Sequence, residues 1–88
     1  MKDVTLIVLT APACAHCDEF LRFWGSIEGE WPNVVMREVS MLTEEGQGLI
    51  QEHRIFASPG IIINGELFSA GSFDKGAIQE KLKALSLI

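Results

Sequence analysis

Residues 4 to 9 read VTLIVL, a run that is nearly all apolar and rich in β-branched side chains. Such a run offers no polar face to water, so it suits a strand covered on both faces of a sheet. Thr10, Ala11, Pro12 and Ala13 end it. From Cys17 the apolar residues Phe20, Leu21, Trp24 and Ile27 fall at helical spacing, while Asp18, Glu19, Arg22 and Ser26 point elsewhere. The pattern predicts an amphipathic helix beginning near Cys14.

Gly29 and Pro32 close that helix, and NVVMREV (33–39) reads as a second strand in which Val35, Arg37 and Val39 alternate against Val34, Met36 and Glu38. Thr43 is placed to cap a second helix, with Glu44 and Glu45 at its positive end and Leu49, Ile50 and His53 on one face. Gly46 and Gly48 each cost about 1 kcal/mol against alanine inside a helix, so a short or irregular helix is expected there. Asn64-Gly65, between III and ELFS, marks a two-residue hairpin that Pro59 enters. Ser72 is expected to cap a last helix whose buried stripe is Phe73, Ala77, Ile78, Leu82 and Leu85.

The element order is therefore β-α-β-α-β-β-α. Alternating strands and helices imply a parallel pair, and the hairpin adds an antiparallel one. The expected class is α/β: a four-stranded mixed sheet with helices on both faces. The 88 residues, 48% of them hydrophobic, suit a single domain spanning 1–88.

Seven basic residues stand against twelve acidic ones, a net charge of -5, and no cluster of Lys or Arg is present to follow a phosphate backbone. Nucleic acid is excluded as an expected partner. In MKDVTLIVLTAPAC the apolar run is too short for a secretory leader, and Asp3 and Thr5 interrupt its approach. No stretch reaches the roughly 20 apolar residues that span a bilayer. The expectation is a cytoplasmic protein with no membrane partner, in a reducing compartment where a close cysteine pair is more often catalytic or metal-binding than a structural staple.

The chain's two cysteines, Cys14 and Cys17, flank Ala15 and His16. Three readings are open: two inert core thiols, zinc ligands acting with His16 or His53, or a redox dithiol. At a helix N-terminus the Cys14 sulfur meets free backbone N–H groups and the positive end of the dipole, both of which favour thiolate. Cys17, one turn on and on the buried face, is close enough to close a Cys14–Cys17 disulfide and resolve a mixed one. His16 as imidazolium lowers the Cys14 pKa from about 8.5. Asp18 and Glu19 work against it.

With these residues, the whole chain resembles the thioredoxin and glutaredoxin superfamily. TAPACAHC is similar to the Pro-x-Cys-x-x-Cys entrance of glutaredoxin-like proteins, with Pro12 in the proline's place. Pro59 matches the family's cis-proline, which faces the disulfide and, with Ser58, holds extended substrate. AGSFD resembles the glutaredoxin Gly-Gly-x-x-Asp segment that contacts the glutathione carboxylate, and it carries over Gly71 and Asp74 but not the first glycine. Ala15 stands where many members have proline or glycine. Val8 stands where thioredoxins bury an aspartate that helps deprotonate the resolving cysteine.

The resemblance implies a thioredoxin-like fold and a glutaredoxin-like thiol-disulfide oxidoreductase in which Cys14 attacks, Cys17 resolves and His16 tunes. It implies no metal and no organic cofactor, with glutathione a candidate co-substrate. The implied partners are a protein disulfide or dithiol and a reductase or glutathione, met by a monomer. The rivals are a binding or adaptor module that keeps the fold without turnover, and a small zinc-binding domain.

Overall fold

In the computed structural model, which describes residues 1–87, the strand β1 (Val4–Thr10) leads into α1 (Ala15–Ile27) and a 3-10 turn at Glu28–Glu30. β2 (Val34–Ser40), α2 (Glu44–His53), β3 (Gly60–Ile63), β4 (Glu66–Ala70) and α3 (Lys75–Ser86) follow. The sheet order is β2-β1-β3-β4. β1 runs parallel to β2 and antiparallel to β3, and β3 runs antiparallel to β4. This is the mixed sheet expected from the pattern of elements.

The apolar run of β1 serves two cores, because successive side chains leave a strand on opposite faces. Val4, Leu6 and Val8 pack with Ile61 and Ile63 beneath Phe20, Phe23, Trp24 and Ile27 of α1 and Ile78 and Leu82 of α3. Leu9 packs on the other face with Val39, Ile55 and Ile62, where Leu49 and Ile50 of α2 cover it. Val35 shares a face with Val39 in the alternation of β2, yet it stays exposed and lies outside that cluster. Among the described residues no helix is long and apolar enough to cross a membrane.

The hairpin between β3 and β4 forms as expected, with Asn64 and Gly65 both at positive φ (50° and 80°). The second helix is more regular than its glycines suggest. Thr43 Oγ1 accepts a hydrogen bond from the Gly46 N–H at 3.0 Å, and ten residues of helix follow. A Cβ on Gly46 would overlap the backbone carbonyl of Ser40, so this glycine allows α2 to seat against the end of β2. Nothing stands within 4 Å of a Cβ on Gly48. Gly46→Ala is therefore expected to lower stability by about 2–3 kcal/mol and the melting temperature by roughly 10 °C or more. Gly48→Ala should raise stability by up to about 1 kcal/mol. Thermal unfolding of the two variants checks the contrast, and equal effects would remove the Ser40 contact from the explanation.

The last helix begins later than Ser72. Asp74 is its cap, its Oδ1 accepting from the Ala77 N–H at 2.9 Å. Phe73 packs edge-on against Phe20 and stacks with Phe23, with ring centroids 5.2 and 5.9 Å apart, and so keeps Ser72 and Phe73 ahead of the helix. That phase buries Ile78 and Leu82 with Leu85 packed beside them and leaves Ala77 exposed, which corrects the expected stripe.

Candidate active site

β1 ends at Thr10, and Ala13 turns the chain through positive φ (55°). The turn makes Cys14 the N-cap of α1, in extended conformation. Its Sγ accepts a hydrogen bond from the Cys17 N–H at 3.0 Å, the place a serine or aspartate oxygen commonly fills. Cys14 and Cys17 form a disulfide with their Cα atoms 5.2 Å apart. Cys14 is partly exposed, whereas Cys17 is 2% exposed. Of the pair, Cys14 is therefore the residue open to solvent.

The second wall comes from the loop before β3. The Ser58–Pro59 peptide bond is cis, and Pro59 is fully buried. Ser58 Oγ lies 3.2 Å from Cys14 Sγ. The Pro59 carbonyl accepts from the Gly71 N–H at 3.0 Å. Gly71 holds positive φ (91°), and a Cβ there would come within 3.0 Å of Ala57 Cβ, so glycine suits this crossing of two loops.

Pro12 is exposed in the loop leading to Cys14. His16 is 62% exposed and turns its Nδ1 to Glu19 Oε2 at 3.4 Å. The carboxylate of Asp74 is engaged as the cap of α3. His53 sits on α2 with its Nε2 3.0 Å from Glu52, while α1, which carries the cysteines, packs on the opposite face of the sheet. No group of three or more His, Cys, Asp or Glu side chains converges as a metal site among the described residues. The resemblance places Ser58 and Pro59 beside the disulfide, but the contact of the Ser58 hydroxyl with the Cys14 sulfur joins residues 44 positions apart and has no local signal in the sequence.

No family model matches this chain. It is 32% identical over 83 residues to a thioredoxin of Methanocaldococcus jannaschii, a match covering 94% of this chain and 96% of that protein. Solved structures share the fold at lower identity. Oxidised mitochondrial thioredoxin 3 of Saccharomyces cerevisiae is 18% identical with a TM-score of 0.74, covering 97% of this chain and 81% of the other. A mutant thioredoxin from Halobacterium salinarum is also 18% identical at 0.74, covering 99% and 78%. A thioredoxin-like protein from Clostridium perfringens is 15% identical at 0.77, covering 96% and 71%. Identity sustained along nearly the whole length of a thioredoxin, with a Cys-x-x-Cys pair closed as a disulfide at the start of α1, shows that this chain belongs to the thioredoxin family of thiol-disulfide oxidoreductases.

Proposed function

We propose that Cys14 is the nucleophile and Cys17 the resolving thiol in exchange with protein disulfides, a reading carried by the contrast between a partly exposed cap sulfur and a buried one. The Cys14 thiolate attacks one sulfur of the partner's disulfide, forming a mixed disulfide and releasing a partner thiolate. Cys17 then loses its proton and attacks Cys14 Sγ. The partner leaves as its second thiolate, the Cys14–Cys17 disulfide closes, and two electrons have passed to the partner, whose sulfurs take up the protons. A reductase or glutathione restores the two thiols by the reverse exchange.

Ser58 and Pro59 present the partner's extended backbone to Cys14, with Pro12 and Gly71 bordering the site and Asp74 at the rim. The chain acts as a monomer in the cytoplasm without metal or organic cofactor. His16 tunes Cys14 modestly, because it is mostly solvated and its Nδ1 turns to Glu19. His16→Ala is expected to make the couple more reducing by no more than about 30 mV, and a redox titration against glutathione reads the sign. Phe56 is 91% exposed in the run leading to Ser58, which supports an apolar contact with a polypeptide partner. Phe56→Ser should raise KM for a protein disulfide about fivefold, since a loss near 1 kcal/mol is about that factor, and leave reduction of a small disulfide unchanged.

Thiol counting before and after mild oxidant tests the function. Loss of two thiols that dithiothreitol restores, with brief iodoacetamide labelling Cys14 first, supports the reading. Unreactive thiols would point to an adaptor module, and thiols released by a chelator to a zinc domain.

A further inference from the structure

Asn64 and Gly65 lie exposed at the tip of the hairpin between β3 and β4. A main-chain nitrogen can attack the side-chain amide carbon of an asparagine before it, and a following glycine, having no Cβ, leaves that approach open. Nothing stands within 4 Å of the place a Gly65 Cβ would occupy. The chain's other asparagine, Asn33, precedes the β-branched Val34, whose side chain crowds the same attack. Asn64 is the reactive one of the two.

The fold holds this reaction shut. Closing the five-membered ring requires Cβ of Asn64 and N of Gly65 to stand on the same side of the Asn64 Cα–C bond. With φ of 50° and 80°, the pair forms the two-residue turn that mirrors type I, in which ψ of the first central residue is about +30°. At that ψ a tetrahedral L residue sets its Cβ and the next nitrogen about 150° apart, nearly opposite each other. The residue is also tied to β1: Asn64 Oδ1 accepts from the Thr5 N–H at 2.9 Å, and the Asn64 N–H donates to the Thr5 carbonyl at 2.9 Å. Rotation into the reactive geometry has to break the turn.

We propose that Asn64 is a conformation-gated deamidation site, closed in the native hairpin and open once the turn is lost, whose isoaspartyl product cannot rebuild the turn. The Gly65 nitrogen gives up its proton and bonds to Asn64 Cγ, the Cγ–Nδ2 bond breaks, and ammonia leaves with that proton. Water then opens the cyclic imide. Opening at Cγ gives aspartate, which keeps an oxygen for the Thr5 N–H. Opening at the main-chain carbonyl gives isoaspartate, whose backbone runs through Cβ and Cγ and is one atom too long for a two-residue turn. The other end of the hairpin carries Pro59 and Gly71, joined by the Gly71 N–H to Pro59 carbonyl bond at 3.0 Å. A turn that does not re-form therefore reaches the wall that faces Cys14, and the modification retires copies that have unfolded.

The test incubates the protein at mildly alkaline pH, with its disulfide left closed, in buffer, in guanidinium below the unfolding midpoint and in guanidinium above it. Peptide mass spectrometry locates the change from amide to acid, and enzymatic methylation counts isoaspartate. Asn64 should convert about tenfold or more faster in the unfolded chain than in buffer, with the intermediate condition between them, because the rate follows the population of open turn. Asn33 should stay intact, and Asn64→Gly, which suits the same turn, should abolish the signal. Equal rates in buffer and above the midpoint would overturn the gating, and an intact Asn64 in the unfolded chain would overturn the site. After separation and refolding, the isoaspartyl form should melt roughly 10 °C or more below the native protein, while Asn64→Asp melts close to it. An isoaspartyl form as stable as the native protein would overturn the claim that the turn is lost.

Discussion

Cys17→Ser is expected to stop turnover of a protein disulfide while leaving Cys14 joined to its partner in a long-lived mixed disulfide. In the native protein the second thiol is held on the same helical turn, with Cα atoms 5.2 Å apart, so escape from the mixed disulfide is intramolecular. With serine at position 17 the adduct must wait for an external thiol at millimolar concentration, and turnover should fall on the order of a thousandfold or more. Cys14→Ser should fail one step earlier, forming no adduct. Mass spectrometry of the trapped complex, beside the rate of reduction of a disulfide-bonded test protein by dithiothreitol, distinguishes the two variants. Adduct formation at Cys17 in the Cys14→Ser protein would reverse the assignment of attacking and resolving sulfurs.

The second large effect is expected at Val8. Its side chain is fully buried on the α1 face of β1, and β2 presents Glu38 opposite it in the parallel register. Glu38 is held by Thr10, whose Oγ1 donates to its Oε2 at 3.0 Å. Val8→Asp puts a carboxyl into that apolar layer. Burial raises the pKa of such a group above its unfolded value near 3.9. Below the unfolded value the carboxyl is neutral in both states and carries no ionisation penalty. As the pH climbs toward the folded pKa, the unfolded chain ionises freely and stability falls. A rise of three units would cost about 4 kcal/mol at neutral pH, and the negative Glu38 nearby acts in the same direction. Denaturant unfolding should show a variant that is firmest in mild acid and weakens toward neutrality. A flat profile would mean that the new carboxyl reaches solvent.

The same variant tests how Cys17 loses its proton. A thiol in an apolar pocket resists ionisation, and a carboxylate beneath the motif should speed the decay of the mixed disulfide near neutral pH and flatten its pH dependence. Single-turnover decay from mildly acidic to mildly alkaline pH, in native and variant protein, is the measurement. If the native protein resolves as fast and as evenly, another base already serves Cys17, and Glu38 on the same face is the next residue to replace.

Much of the architecture was legible along the chain because it is written in short-range periodicity. The run at β1 with apolar side chains on both faces, the helical spacing after Cys17 and the Asn64-Gly65 turn are relations among residues a few positions apart, and backbone geometry turns each into one element. The placing of Cys14 at a helix start belongs to the same class, since a break before an amphipathic pattern is local. Tertiary structure decided what those elements bring together. Gly46 reads as a weak point in a helix until the carbonyl of Ser40 is seen where its Cβ would lie. Ser72 and Asp74 are both good caps in isolation, and the packing of Phe73 against Phe20 and Phe23 goes with the choice of Asp74. His16 has a carboxylate within reach at position 19 and a sulfur at position 14, and the folded chain turns it to the carboxylate. Ser58 meets Cys14 across 44 residues because the register of β1 with β3 brings the loop before one strand to the end of the other. Contacts of that kind depend on how whole elements dock, which no window of neighbouring residues contains.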